Sequence, residues 1–223
     1  RLEPAGSTAA ALPRPSLVVN ALSSWAGFAV LVVTGFLLTP FVIKHLGKNG
    51  YGVWSVVGSI IGYYGLLDLG VASAVRRYVA RYAARDDHDA LNETIATAMM
   101  LFMGAGVLIL MVSVFASRPL AEFFRVRPAM VGDFRRVMML LGLAATVNLI
   151  GQVHRATIAA HELFVPRNIV MIGITVFRAA LTVVTLRAGW GLQGVAVSHL
   201  GADSVGFVLH LALIRRLTPY VKL

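Results

Sequence analysis

Residues 37–87 read LLTPFVIKHLGKNGYGVWSVVGSIIGYYGLLDLGVASAVRRYVARYAARDD. The stretch joins the end of one apolar run to a second apolar run through a turn rich in glycine and lysine, and it closes on a basic segment. A helix that crosses the hydrocarbon core of a bilayer needs about 20 mostly apolar residues. The pattern therefore predicts two membrane spans connected by a tight interfacial turn.

The composition of the whole chain agrees with this interpretation. Its 223 residues are 58% hydrophobic and 13% charged, with a mean hydropathy of +0.78, whereas soluble domains carry about 25% charged residues. Because the chain has no cysteine, disulfides and thiolate metal sites are excluded within it, and we predict neither a metal nor a cofactor. A net charge of +10 in so apolar a chain favours anionic lipid headgroups or a phosphate-bearing substrate over nucleic acid.

Apolar runs long enough to cross a membrane occur six times. They cover residues 17–43, 51–75, 94–117, 137–158, 166–186 and 192–214. The predicted fold is therefore all-α, an integral membrane bundle of six transmembrane helices over residues 16–223, and the proline-rich residues 1–15 are expected to be a disordered tail. Because the chain lacks an initiator methionine and ends just after a span, we expect it to be the first half of a larger bundle, with the second half missing or supplied by another chain.

Lysine and arginine in the predicted loops indicate how the chain is oriented. Eleven lie on the side of the N terminus and eight on the opposite side, which favours a cytoplasmic N terminus. An even number of spans returns the C terminus to the same side. On the outer side, residues 118–136 mix Phe123 and Phe124 with charged residues and are predicted to lie along the membrane interface.

Several residues within the opening stretch have defined physical consequences. Pro40 is expected to kink or end the first span, and the glycines at 47–52 favour a tight turn. Asp68 stands in an otherwise apolar run, where a charge is costly unless it has a partner. Two interpretations stay open: Asp68 caps a helix after a break at Gly70, or it lines a cavity.

A set of local motifs in the first third of the chain matches a known pattern. The set contains Asn20, Trp25, Pro40, Leu46-Gly47, Tyr51-Gly52-Val53-Trp54, the block 66–70, Ser73-Ala74-Val75 and Arg77-Tyr78-Val79-Ala80. Together these motifs resemble the N-terminal signature of bacterial polysaccharide flippases of the Wzx type, which belong to the multidrug/oligosaccharidyl-lipid/polysaccharide exporter superfamily.

The resemblance implies a fold of two six-helix lobes around a central cavity, of which this chain would be the N-terminal lobe. It implies a transporter rather than an enzyme, one that passes an undecaprenyl-pyrophosphate-linked oligosaccharide from the cytoplasmic to the outer leaflet of the bacterial inner membrane by alternating access. The implied partners are that lipid-linked oligosaccharide, anionic lipid headgroups and polysaccharide polymerase machinery.

Ionisable residues at membrane depth are the best indicators of function in the residues themselves. If the fifth and sixth spans run antiparallel through a turn at 189–191, Arg178 and Asp203 reach similar depth, and an ion pair is predicted. In one interpretation, the only role of this pair is to hold the two helices together. Alternatively, Arg178 lines a cavity that binds phosphate, while His199 and Asp203 carry protons or ions that drive transport.

Guanidinium groups bind phosphate oxygens in pairs, so arginines at cytoplasmic or middle depth are candidate ligands for a pyrophosphate. Arg155 either guides the substrate together with Gln152 or merely extends to the interface. The candidate substrate-binding residues are Arg76, Arg77, Gln152, Arg155 and Arg178. The candidate residues for proton or ion coupling are Asp68, His199 and Asp203.

Two other function classes compete with the flippase. A drug or cation exporter of the same superfamily would use intramembrane carboxylates such as Asp68 and Asp203, but the surplus of arginine favours an anionic cargo. A membrane glycosyltransferase or acyltransferase would need a catalytic acid or base near the interface. His161-Glu162 lacks the second histidine of a zinc helix, which argues against that class.

Overall fold

A computed structural model describes residues 17–218, 220 and 221, so the tail predicted at 1–15 lies outside the described residues. The described part is built of α-helices and short 3₁₀ turns, as the sequence predicts. The helices are α1 (Leu17–Tyr64), α2 (Val71–Ala83), α3 (His88–Phe115), α4 (Ser117–Phe123), α5 (Val131–Ala160), α6 (Phe164–Arg187) and α7 (Gly191–Leu217). Five helical stretches of this part are long and apolar enough to cross a membrane.

The first of these stretches contains two spans. Gly47 has non-helical backbone angles, φ 65° and ψ 175°, which divide α1 into α1a (17–46) and α1b (48–64). Pro40 was expected to kink or end the span. It lies inside α1a, so the second alternative is wrong, and the helix ends at Gly47. A positive φ is strained for residues with a Cβ, which explains why the chain turns at Gly47.

The second predicted span, 51–75, is wrong as a single helix. The α-helix ends at Tyr64 and is followed by a 3₁₀ turn at Gly65–Asp68. Leu69 and Gly70 then adopt positive φ values of 46° and 80° before α2 begins. The Asp68 carboxylate accepts the backbone N–H of Ala72 at 2.9 Å, so of the two interpretations of Asp68, the cap after a helix break is confirmed.

α5 is the central helix, because it contacts α2, α3 and α7 extensively and touches α1, α4 and α6. It runs antiparallel to α3: Gly142 of α5 lies against Ser113, and Thr146 donates a hydrogen bond to the Gly106 carbonyl at 3.2 Å. Small residues at these crossings allow the backbones to approach closely. The core of the bundle is therefore organised around α5.

The fifth and sixth predicted spans form the antiparallel pair α6 and α7. Gly189 and Gly191 have φ values of 79° and 53° and make the predicted turn between them. α1a runs parallel to α6, since Asn168 donates hydrogen bonds to the hydroxyls of Ser23 and Ser24 at 2.9 and 3.1 Å and Val42 packs against Leu186 farther along.

The two ends of the bundle differ. At one end, called the α4 end, α4 and a 3₁₀ turn at Pro128–Met130 connect α3 to α5. There Phe123 and Phe124 are exposed, consistent with the predicted interfacial segment.

The opposite end, called the α2 end, gathers the C-terminus of α5 and the residues after α7. His161 donates through Nδ1 to the Thr157 carbonyl at 2.8 Å, so its Nε2 accepts the Tyr220 hydroxyl at 2.7 Å. Burial, with a smaller effect of Asp86, raises the pKa of Tyr220, and the hydroxyl keeps the proton that it donates. His88 stacks on the Tyr220 ring at 4.4 Å, so this tyrosine ties three helices together.

We predict that replacing Gly142 with alanine destabilises the bundle. The added Cβ would lie 2.1 Å from Ser113 Oγ and 2.6 Å from Ser113 Cβ, so α3 and α5 must separate, at a cost of about 1–3 kcal/mol. The thermal unfolding temperature in detergent measures the effect. Gly104→Ala is the matched control, since nothing lies within 4 Å of a Cβ at Gly104. Equal unfolding temperatures for the two variants would contradict the close approach.

Candidate functional site

A cavity of about 470 Å³ lies between α2, α5, α6 and α7 and is named here the arginine cavity. Four arginines from three helices line it: Arg76 from α2, Arg155 from α5, and Arg167 and Arg178 from α6. Asp203 from α7 is the carboxylate in the wall. The volume falls within the range of about 300–1,000 Å³ that is typical of ligand sites. Four guanidinium groups against one carboxylate make the wall strongly positive.

Arg178 and Asp203 form the predicted ion pair. Arg178 Nη2 lies 2.6 Å from Asp203 Oδ1, and the two side chains are 30% and 11% exposed. The pair joins α6 to α7 near the middle of both helices, so the prediction of an ion pair at this depth is confirmed. Because Arg178 also lines the cavity, it both staples the helices and faces the space between them.

Asn148 extends this pair to α5. Its Nδ2 lies 3.4 Å from Asp203 Oδ1, and its side-chain and backbone oxygens accept Arg155 Nη2 at 3.1 and 3.0 Å. Arg155 is therefore directed towards the middle of the bundle and does not extend to the interface. Charge-assisted hydrogen bonds of this kind hold both side chains in place.

In the part of the chain that the structure describes, Arg76, Arg155 and Arg167 form no salt bridge with a carboxylate. Within residues 17–218, 220 and 221, the salt bridges are Arg118–Glu122, Arg136–Asp133 and Arg178–Asp203. Arg167 is close enough to both Arg76 and Arg155 for their like charges to interact. Three unpaired guanidinium groups that share one cavity form a suitable site for an anion with several oxygens.

A second, smaller cavity of about 270 Å³ shares Asn148, Gln152 and Asp203 with the arginine cavity. Its polar lining also includes Tyr64 and His199, and the His199 ring packs 5.2 Å from the Trp54 ring. Asp203 thus lies between two cavities. The structure brings His199 and Asp203 to the same cavity but keeps His199 away from the arginines that lack partners.

Two of the candidate residues lie outside both cavities. Arg77 is adjacent to Arg76 but points elsewhere, with its guanidinium 5.8 Å from the centre of the Tyr78 ring. Asp68 caps α2 and is not among the residues that line either cavity. The structure therefore assembles Arg76, Gln152, Arg155, Arg178 and Asp203 and leaves Arg77 and Asp68 apart.

Arg167 lines the cavity but is absent from the sequence-based candidates, although it falls within the predicted span 166–186. In the structure it lies in the first turn of α6. The spacing carried the signal, because Arg167 and Arg178 are three helical turns of about 3.6 residues apart. Met171 and Ile174 lie between them on the cavity face.

The fold and this charged site define a polytopic membrane protein with a cationic cavity between its helices. A family model described as MatE matches residues 15–184, and the chain belongs to the MatE family. The family relationship predicted from the N-terminal motifs is confirmed.

Named relatives extend the comparison. A protein of Shigella flexneri, provisionally named an O-antigen transporter, is 24% identical over 67% of this chain and 35% of its own length. A protein of Yersinia pseudotuberculosis, provisionally named an O-antigen export protein, is 23% identical over 49% of this chain and 24% of its own length. The uncharacterized membrane protein EpsK of Bacillus subtilis is 24% identical over 91% of this chain and 40% of its own length.

The chain thus spans less than half the length of each of these relatives. No solved structure matches it significantly.

We predict that Arg178 and Asp203 are energetically coupled. Alanine at either position alone leaves a partly buried charge without its partner, at a cost of about 1–3 kcal/mol, whereas the double variant leaves neither charge. The double variant should therefore unfold at a higher temperature than the sum of the two single effects implies.

The exposed pair Arg118–Glu122, with side chains 76% and 69% exposed, is the matched control, and it should show a coupling below about 1 kcal/mol. Strict additivity for Arg178 and Asp203 would contradict the ion pair.

Proposed function

We propose that this chain forms the N-terminal lobe of a transporter that moves a lipid-linked oligosaccharide, carried on a diphosphate such as undecaprenyl pyrophosphate, across the bacterial inner membrane for polysaccharide export. The diphosphate would bind in the arginine cavity, and a second lobe would face this one across the transport pathway. Alternating access of the two lobes would then move the headgroup to the outer leaflet while the lipid tail stays in the bilayer.

One observation carries the proposal: the arginine cavity places four guanidinium groups from three helices around a space with a single carboxylate. A diphosphate diester carries two negative charges and several acceptor oxygens, which suits several converging guanidinium groups. Binding such a headgroup between helices also offsets the cost of holding unpaired arginines at membrane depth. The names of the relatives from Shigella flexneri and Yersinia pseudotuberculosis, which refer to O-antigen transport and export, agree with this cargo.

A drug or cation exporter is the alternative within the same superfamily. A cationic cargo would need carboxylates that are free to receive it. Asp203 is already occupied by Arg178 and Asn148, and the surrounding arginines would repel a cation. The cavity therefore favours an anionic cargo.

The coupling of transport to an ion is proposed to involve Asp203 and His199, since the two side chains share the second cavity. Protonation of Asp203 would weaken its bond to Arg178 and free that arginine for another anion. His199 is placed to exchange protons with the same space. Asp68 is better explained as the cap of α2.

We predict that transport depends on Arg76 and not on its neighbour Arg77. In the protein encoded by the complete open reading frame, Arg76→Gln should reduce polymer export at least tenfold, because one cavity cation is lost, as should Arg155→Gln and Arg167→Gln. Arg77→Gln is the matched control on the same helix and should export normally. Complementation of a flippase-deleted strain, scored by surface polysaccharide, measures the effect.

Normal export by a variant that lacks Arg76, Arg155 and Arg167 together would exclude the arginine cavity as the substrate site. Loss of export with Arg77→Gln alone, at unchanged protein level, would move the site to the surface of α2.

The orientation can be tested with single introduced thiols, since the chain has no cysteine of its own. A cytoplasmic N terminus puts the α2 end inside the cell and the α4 end outside. A membrane-impermeant maleimide applied to intact spheroplasts should therefore label Arg125→Cys and not Asp86→Cys, with labelling mapped to this chain by proteolysis. The reverse pattern would contradict the proposed orientation.

A further inference from the structure

His210 is a buried histidine in the wall of the arginine cavity that no role described above uses. Its side chain is 3% exposed, and it lines the cavity one turn beyond Gly206 on α7. Its Nδ1 lies 2.6 Å from the Gly206 carbonyl. Since a carbonyl oxygen only accepts, Nδ1 carries a hydrogen, and Nε2 is the nitrogen that can gain or lose a proton.

Nε2 of His210 has no hydrogen-bond partner in the described part of the chain. Buried polar atoms without a partner are rare in folded proteins and require an explanation. Neither protonation state is satisfied here, because the neutral nitrogen lacks a donor and the protonated nitrogen lacks an acceptor. The described residues thus leave the hydrogen-bonding capacity of this nitrogen unused in the wall of the cavity.

The charges that face His210 come from four of the helices that line the cavity, α2, α5, α6 and α7. α2 contributes Arg76, α6 contributes Arg167 and Arg178, α5 contributes Arg155 together with the buried His154, and α7 itself contributes Asp203. α1a contributes only the apolar Leu31. Because Asp203 is held by Arg178 and Asn148, none of these groups is a free negative charge for a protonated His210.

We infer that His210 makes anion binding in the arginine cavity proton-linked: a diphosphate in the cavity is bound together with a proton on His210, and it is released when that proton leaves. This inference rests on the proposed anion site and adds the group that would make its affinity respond to pH. A negative charge favours the protonated form of a nearby imidazole. By thermodynamic reciprocity, the protonated imidazole strengthens binding of the anion by the same factor.

His210 is better suited than Asp203 to take up the proton that is bound together with the anion. Protonating Asp203 removes the negative charge that faces Arg178 at 2.6 Å, and the loss of that attraction opposes the change. Protonating His210 breaks no contact, since Nδ1 keeps its bond to Gly206 in both states. Arginine itself does not titrate in this range, so the imidazole is the neutral group in the wall that a bound anion can convert to a cation.

The test uses the protein of the complete open reading frame in detergent micelles and a water-soluble diphosphate diester, which keeps two negative charges over the whole pH range. For the unsubstituted protein, affinity should rise about tenfold between pH 8.0 and pH 5.5, a typical size for coupling between two ligands. Isothermal titration calorimetry in two buffers of different ionisation enthalpy should also report the uptake of up to one proton per anion bound.

The decisive variant is His210→Asn, which keeps an amide nitrogen near the position of Nδ1 but cannot titrate. It should bind the diester with little change in affinity between the two pH values and without proton uptake. His45→Asn is the matched control, because His45 makes the same type of bond, from Nδ1 to the Phe41 carbonyl at 2.9 Å, away from the cavity. It should behave like the unsubstituted protein.

The possible failures are distinguishable. If His210→Asn keeps the pH dependence, the inference is wrong, and loss of that dependence in His154→Asn or Asp203→Asn would identify the group responsible. If the unsubstituted protein binds the diester without proton uptake, the inference is also wrong while the anion site stands. If the diester does not bind at any pH, the proposed anion site fails and the inference falls with it.

Discussion

The pairing of Arg178 with Asp203 at membrane depth is the constraint on which the rest of the site depends. Hydrocarbon offers no water to solvate a charge, so two helices that carry opposite charges must meet there. The 2.6 Å contact fixes α7 against α6, and Asn148 connects the same carboxylate to α5 and to Arg155. With α5, α6 and α7 held together in this way, the remaining arginines line the arginine cavity.

The charged residues in the cavity wall therefore have two different roles. Arg178 is neutralised by Asp203 and serves the architecture as well as the cavity. The other arginines meet no carboxylate in the described part of the chain, so their charge is available to a ligand. Apolar side chains at these positions would stabilise the lobe better than buried arginines do. We therefore propose that the unpaired arginines mark the face of this bundle that binds the headgroup.

Much of the fold and part of the site could be predicted from the sequence, because the length and hydropathy of membrane spans are tightly constrained. Length and hydropathy located the helices, and helical spacing brought Arg178 and Asp203 to the same depth. The helix break after Tyr64 was harder to predict from the sequence, because the run 51–75 is apolar throughout, apart from Asp68. Its cause lies in the ability of Asp68 to bond the backbone at Ala72 and in the positive φ of Gly70, which apolar length alone does not reveal.

Side-chain direction is what the sequence could not supply. Arg76 and Arg77 are neighbours, and only the rotation of α2 decides that one faces the cavity and the other the Tyr78 ring. The most direct test of the central claim is a cryo-electron microscopy structure of the complete protein with a lipid-linked diphosphate. The account predicts diphosphate density within hydrogen-bond distance of Arg155 and Arg167. Density elsewhere, with the arginine cavity empty, would contradict it.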